Sequence, residues 1–108
     1  MSADDALIII LCTVPDEATA EKIAEGLVEN RLAACVNAIS GVRSFYRWQG
    51  KLQADSEIQL LIKTRQERFD EVAAWLEANH PYEVPEIVAI PAERVTKAYL
   101  AWATEQTS

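Results

Sequence analysis

Leu7-Ile8-Ile9-Ile10-Leu11 is an unbroken apolar run, β-branched at its centre, with no alternation between apolar and polar positions. A half-solvated strand alternates with a period of two, so this run predicts a strand buried on both faces, ended at Pro15. Beyond it, Ala20, Ile23, Ala24, Leu27 and Val28 recur at helical spacing, with Glu21, Lys22, Glu25 and Glu29 on the other side. That pattern predicts an amphipathic helix. Asp16 and Glu17 put negative charge at the positive end of its dipole, and Asn30 is its expected terminator before Leu32.

A long β-type segment follows from Ala33 to Trp48, broken only by Gly41, where a bulge or bend is expected. Gln49-Gly50 then separates two strand-like runs at hairpin spacing, and the second run ends in Ile58-Gln59-Leu60-Leu61-Ile62-Lys63. Strands two and three are therefore expected to be antiparallel neighbours. Thr64-Arg65-Gln66-Glu67 has a capping-box pattern, with Phe69, Val72, Ala73 and Leu76 behind it at helical spacing, so a second helix is expected up to Pro81. Glu86 to Ile90 reads as a fourth strand, and Tyr99, Trp102 and Ala103 mark one face of a short terminal helix. The order is βαββαβ with an extra C-terminal helix, an α+β chain of the ferredoxin-like arrangement, with residues 1–108 forming one domain.

Right-handed crossovers put both main helices on one face of a four-stranded sheet. Strand one, however, is apolar at every position, strand four offers both Ile87 and Val88, and strand three sets Leu61 opposite to Ile58, Leu60 and Ile62. Water is a poor neighbour for such a second face. Symmetric self-association is the expected cover, and a terminal helix folded back over the sheet is the simpler alternative.

Composition narrows the partners. Among 108 residues the formal net charge is -7, which repels a phosphate backbone, so no nucleic-acid partner is expected. The longest apolar stretch, Ala6 to Cys12, is far shorter than the ~20 residues that cross a bilayer, and the Asp4-Asp5 start lacks the basic region of a signal peptide. No membrane partner and a cytoplasmic location are expected. Only two cysteines occur, Cys12 and Cys35, each within an apolar run, as suits a reduced compartment.

The chain has one histidine, His80, in Asn79-His80-Pro81-Tyr82-Glu83-Val84-Pro85. Two prolines stiffen this connection and hold the imidazole, Tyr82 and Glu83 in place. The plain alternative is a histidine that ends the second helix and complements its dipole. Thiolate and imidazole are ligands for copper and zinc. Antiparallel strands one and four bring Cys12 and His80 to the same sheet edge, so a Cys-His pair is geometrically available. Cys35 belongs at the opposite end, which argues against an intrachain disulfide. Buried thiols that act as small hydrophobes are the plain alternative for both cysteines.

Near the hairpin tip, Arg43, Phe45, Tyr46, Arg47 and Trp48 interleave aromatics with cations. Such a set can line a small-molecule cleft or anchor a subunit contact, and the contact is favoured. Lys63 and Glu57 can form an ion pair in a cleft, although an exposed lysine is the simpler account. No phosphate-binding glycine loop, nucleophile elbow, HExxH or CxxC occurs, so an enzyme is not expected.

Taken together, Cys12-Thr13 with Pro15, Arg31-Leu32-Ala33-Ala34-Cys35-Val36-Asn37, the Tyr46-x-Trp48-x-Gly50-Lys51 turn, Lys63-Thr64, and His80-Pro81-Tyr82-Glu83-Val84-Pro85-Glu86 resemble the CutA family of divalent-cation tolerance proteins. The resemblance implies a tight homotrimer similar in architecture to the PII signalling proteins, with copper or another divalent metal ion as cofactor. In members proposed to bind copper, the ligands correspond to Cys12 and a histidine pair of which His80 is present here. Asn79 stands at the other place, and an amide is a poor substitute for imidazole. The resemblance also implies an intersubunit cleft, to which Cys35, Tyr46, Trp48, Lys63, Tyr82 and Glu83 are assigned. A small-molecule sensor of PII type working through that cleft is the alternative function.

Overall fold

The structure is a computed structural model and describes residues 6–108; the acidic start at Asp4-Asp5 lies outside the described residues. β1 (Leu7–Val14) leads into α1 (Glu17–Glu29), then β2 (Cys35–Trp48) and β3 (Lys51–Arg65). A short 3-10 turn (Gln66–Arg68) continues into α2 (Phe69–Asn79), followed by β4 (Val88–Pro91) and α3 (Lys97–Gln106). The four strands lie in the order β2-β3-β1-β4, with β1 antiparallel to both β3 and β4, and β2 antiparallel to β3. This is the βαββαβ arrangement with its additional C-terminal helix.

Directly paired residues share a sheet face. Ile8, Ile10, Cys12 and Val14 therefore sit with Thr64, Ile62, Leu60 and Ile58 on one face. Ala20, Ile23 and Leu27 of α1 and Val72 and Leu76 of α2 close over that face to make the main core. Ile10, Leu60, Ile62, Leu27 and Leu76 are completely buried there, each a side chain whose burial contributes about 1.5–3 kcal/mol. The uniform greasiness of β1 has its cause in the other residues. Leu7, Ile9, Leu11 and Thr13 look to the opposite face, where the only helix among the described residues is α3, which packs Ala103 against Leu7 and Ala34 at one end.

Local chemistry explains most element boundaries. Asp16 caps α1 by accepting the Thr19 N–H at 2.8 Å, and hydrogen bonding from the Thr19 side chain and then its backbone holds the carboxyl below the usual carboxylate range. Asn30 closes the helix, its side-chain amide donating to the Gly26 carbonyl at 2.7 Å. At the hairpin tip Gln49 and Gly50 both take positive φ, +50° and +78°, which matches the right-handed twist of two flanking strands. Gly41, at φ +83°, lies at the register shift between Ile39 and Val42. The extended hairpin that results gives the molecule extents of 45 × 25 × 24 Å.

Two sequence expectations are corrected. Thr64 does not cap a helix: it belongs to β3, opposite Ile8, and its buried hydroxyl donates to the Leu32 carbonyl at 2.7 Å. Strand pairing and a buried acceptor outweigh the local capping pattern, and α2 begins only at Phe69. The fourth strand is shorter and later than Glu86 to Ile90, because pairing with β1 starts at Val88.

Candidate functional site

Cys12 and His80 both turn toward the end of β1. The His80 ring is buried and its Nε2 lies 2.8 Å from the Thr13 carbonyl oxygen, while the Tyr82 backbone N–H donates to His80 Nδ1 at 3.1 Å. An imidazole that accepts at Nδ1 must carry its proton on Nε2. His80 is therefore a neutral ring with both nitrogens in use. Cys12 is completely buried on the helix-covered face, and its Sγ–H makes a weak 3.9 Å contact with the same Thr13 carbonyl. Burial pushes the thiol up to about 12, with the negative charges of Glu86 and Glu57 acting in the same direction. A metal needs thiolate and a free imidazole lone pair. As folded, the two side chains supply neither, and the described residues contain no gathered group of three His, Cys, Asp or Glu side chains able to hold a metal.

The other sequence-derived residues gather differently. Cys35 pairs with Lys63, and Lys63 with Ile9, so both lie on the face opposite the main core. Beyond the bulge, Val42 faces Glu57, Tyr46 faces Gln53 and Trp48 faces Lys51, which keeps Tyr46 and Trp48 on that same face. There, the Tyr82 hydroxyl donates to Glu57 Oε2 at 2.7 Å, and the Tyr46 hydroxyl donates to Asp55. Desolvation raises the Tyr82 phenol, helped by its bond to Glu57, and the bond to Asp55 raises Tyr46. Gln59 extends the row, its amide reaching Glu86 at 3.4 Å and the Cys12 carbonyl at 3.3 Å. His80 stacks obliquely on Tyr82 with ring centres 4.7 Å apart. Glu83 is exposed beside this row in sequence, and the structure gives it no side-chain partner among the described residues.

The Glu57–Lys63 ion pair, the alternative to an exposed lysine, does not form. Six positions along one strand separate the two by roughly 20 Å; Glu57 turns to Tyr82, and the Lys63 ammonium sits 6.0 Å from the centre of the Tyr99 ring. Asp55, Gln59 and Glu86 were not singled out in the sequence. The signal was available, since the Gln49-Gly50 turn fixes the hairpin register and puts Asp55 and Glu57 on the face of Tyr46.

Residues 8–106 match the family described as CutA1 divalent ion tolerance protein. The chain belongs to the CutA family. A Thermus thermophilus relative, "Divalent-cation tolerance protein CutA", is 48% identical over 92% of this chain and 96% of its own length. A solved structure of the Thermus thermophilus CutA protein superposes with a TM-score of 0.91 at 47% identity, over 94% of this chain and 99% of that one. The Arabidopsis thaliana "Protein CutA, chloroplastic" is 42% identical over 93% of this chain, which spans 55% of that longer protein. A structure titled as the periplasmic CutA of Archaeoglobus fulgidus matches with a TM-score of 0.92 at 42% identity, over 94% and 99% of the two chains. CutA relatives thus carry names from more than one compartment. The family is one of ion-tolerance proteins and is not known for enzymes.

Proposed function

We propose that this CutA chain works as a homotrimer in divalent-cation tolerance, through clefts formed where the helix-free face of one subunit meets its neighbour. One observation carries the reading: on that face Ile39, Val88 and Ile90 are each about half exposed, at 47%, 51% and 47%, beside half-buried Ile9, Leu11 and Leu61. Contiguous apolar surface of this kind is covered in water by a partner, and a closed ring of identical chains covers it with no further component. Cys35, Tyr46, Trp48, Lys63, Tyr82 and Glu83 line the clefts. Light scattering should give the mass of three 12.0 kDa chains, and a well-folded monomer at micromolar concentration would sink the proposal.

Copper or another divalent ion is the proposed cargo. Cys12 and His80 are its soft candidate ligands, but each must first give up a hydrogen bond and Cys12 a tightly held proton. The carboxylates of Glu57 and Asp55 need no such rearrangement and suit a harder ion, so the cleft is the favoured seat. Titrating reduced protein with copper(I), copper(II) and zinc, beside Cys12→Ser, His80→Ala and Glu57→Gln, separates the two. Loss confined to Glu57→Gln supports the cleft, and loss confined to the other two variants moves the ion to Cys12 and His80.

The second reading, a PII-like small-molecule sensor, is favoured by the tyrosine–carboxylate pairs and Trp48, which offer polar groups beside aromatic surface. A metabolite that raises the melting temperature with its concentration supports it; a screen in which only metal ions act removes it. A cytoplasmic location is proposed because Cys12 and Cys35 are both free thiols. The charge of -7 supports the absence of a nucleic-acid partner.

A further inference from the structure

α3 is attached in an unusual way. It buries only Ala103 completely within its length, with Tyr99 and Leu100 partly covered, so apolar area contributes little to holding it. Polar bonds dominate instead. Arg65, itself 8% exposed, sends Nε to the Thr107 hydroxyl at 2.8 Å and a terminal nitrogen to the Thr107 carbonyl. Arg68 Nε donates to that same carbonyl at 2.8 Å. Arg31 Nε donates to the Ser108 main-chain oxygen at 3.1 Å, and its terminal nitrogen reaches the Glu105 carbonyl. Guanidinium groups from the end of α1, the end of β3 and the 3-10 turn thus bond the Glu105 carbonyl in the last turn of α3 and the main-chain oxygens of Thr107 and Ser108 just past it.

Arg31 holds a left-handed backbone, φ +59°, at the position after a helix where glycine is the easy choice. A side chain at that position has a cost in strain, and the clasp on α3 gives it a purpose. At the other end of α3, Tyr99 lies against Lys63, whose strand partner is Cys35. We infer that α3 is a strap held shut by the Arg31–Arg65–Arg68 clasp, and that it opens as a unit, ahead of the sheet, to uncover Cys35 and Lys63. The exchange of α3 amides stands apart from the proposed clefts, whereas the uncovering of Cys35 and Lys63 rests on that reading, which assigns both residues to them.

Arg31→Gly isolates the device, because glycine suits the left-handed backbone and removes the exposed side chain that carries the guanidinium. Hydrogen exchange on the intact protein should show amides of residues 97–107 exchanging about tenfold faster in the variant, as expected for lost charge-assisted bonds, with β1 and β3 amides unchanged. Cys35 should react faster with a thiol reagent by a similar factor, while Cys12, locked in the main core, serves as the reporter of global opening. Thr107→Val, which removes the hydroxyl that accepts from Arg65 Nε and donates to the Ala103 carbonyl but leaves the Thr107 carbonyl and every arginine in place, should act in the same direction. The inference is overturned if α3 and β3 amides exchange at one rate in the wild type, if both variants speed the two elements together, or if Cys35 reactivity does not rise.

Discussion

At Cys12, burial and two nearby carboxylates act in the same direction, and the consequence is a pH dependence of a definite sign. The folded thiol holds its proton up to about 12, against the ordinary value of 9.0. Between those values the unfolded chain releases a proton that the folded chain keeps, so this group's contribution is whole below pH 9 and is lost as pH rises toward 12. The slope it adds reaches about 1.4 kcal/mol per pH unit. Urea unfolding from pH 8 to 11 should show stability falling, and Cys12→Ala should flatten that fall even where it lowers stability overall. His80 makes a second residue-scale test. Removing its ring leaves the buried Thr13 carbonyl with only the weak Cys12 Sγ–H contact and the Tyr82 N–H without its acceptor, so His80→Ala should lower unfolding free energy by about 2–3 kcal/mol and loosen the Tyr82–Glu57 bond. What the sequence could not convey about these two residues is where their hydrogen bonds go. Spacing and topology put both near one end of β1; only the folded backbone reveals that Thr13 O meets both.

Among the elements, the packing of α1 on α2 turns on Gly26. A Cβ there would stand 2.5 and 2.6 Å from two ring carbons of Trp75, closer than carbon atoms approach without displacement. Alanine is the better helix former by about 1 kcal/mol, yet Gly26→Ala should destabilise by about 1–2 kcal/mol, as overpacking does. Trp75→Leu in the same chain should remove that penalty, measured by chemical denaturation of the single and double variants. The helices, the bulge at Gly41 and the Gln49-Gly50 turn were all legible, because periodicity and positive-φ chemistry are local. The Thr64 capping pattern misled for the opposite reason: the buried Leu32 carbonyl that claims its hydroxyl lies 32 residues away. The arginine clasp was illegible on the same ground, since Arg31 and Ser108 are 77 residues apart in the chain. The open-face row of tyrosines and carboxylates lies between these cases, readable once the hairpin register is counted out from its turn.

For the whole molecule, the proposed association rests on the apolar side of the sheet. Ile90→Asp places a charge on β4 where a neighbour is expected to sit, and light scattering should report smaller particles, with circular dichroism showing the helices retained. The paired change Val28→Asp, on an exposed apolar residue of α1, should leave the mass unaltered. The sheet's greasy second side was already visible in Leu7 to Leu11, whereas the extent of its cover by α3 was not, because α3 docks through arginines distant in sequence and a small apolar cluster around Ala103. The projecting hairpin bears on how such an assembly forms. Phe45 and Leu52 remain 67% and 80% exposed near its tip, away from the helices that stabilise the rest of the sheet. In the proposed trimer such an arm gains apolar cover from another chain, so renaturation should divide into two events. The body should form at a rate indifferent to dilution, and the arm should follow in a bimolecular phase that slows in proportion as the protein is diluted.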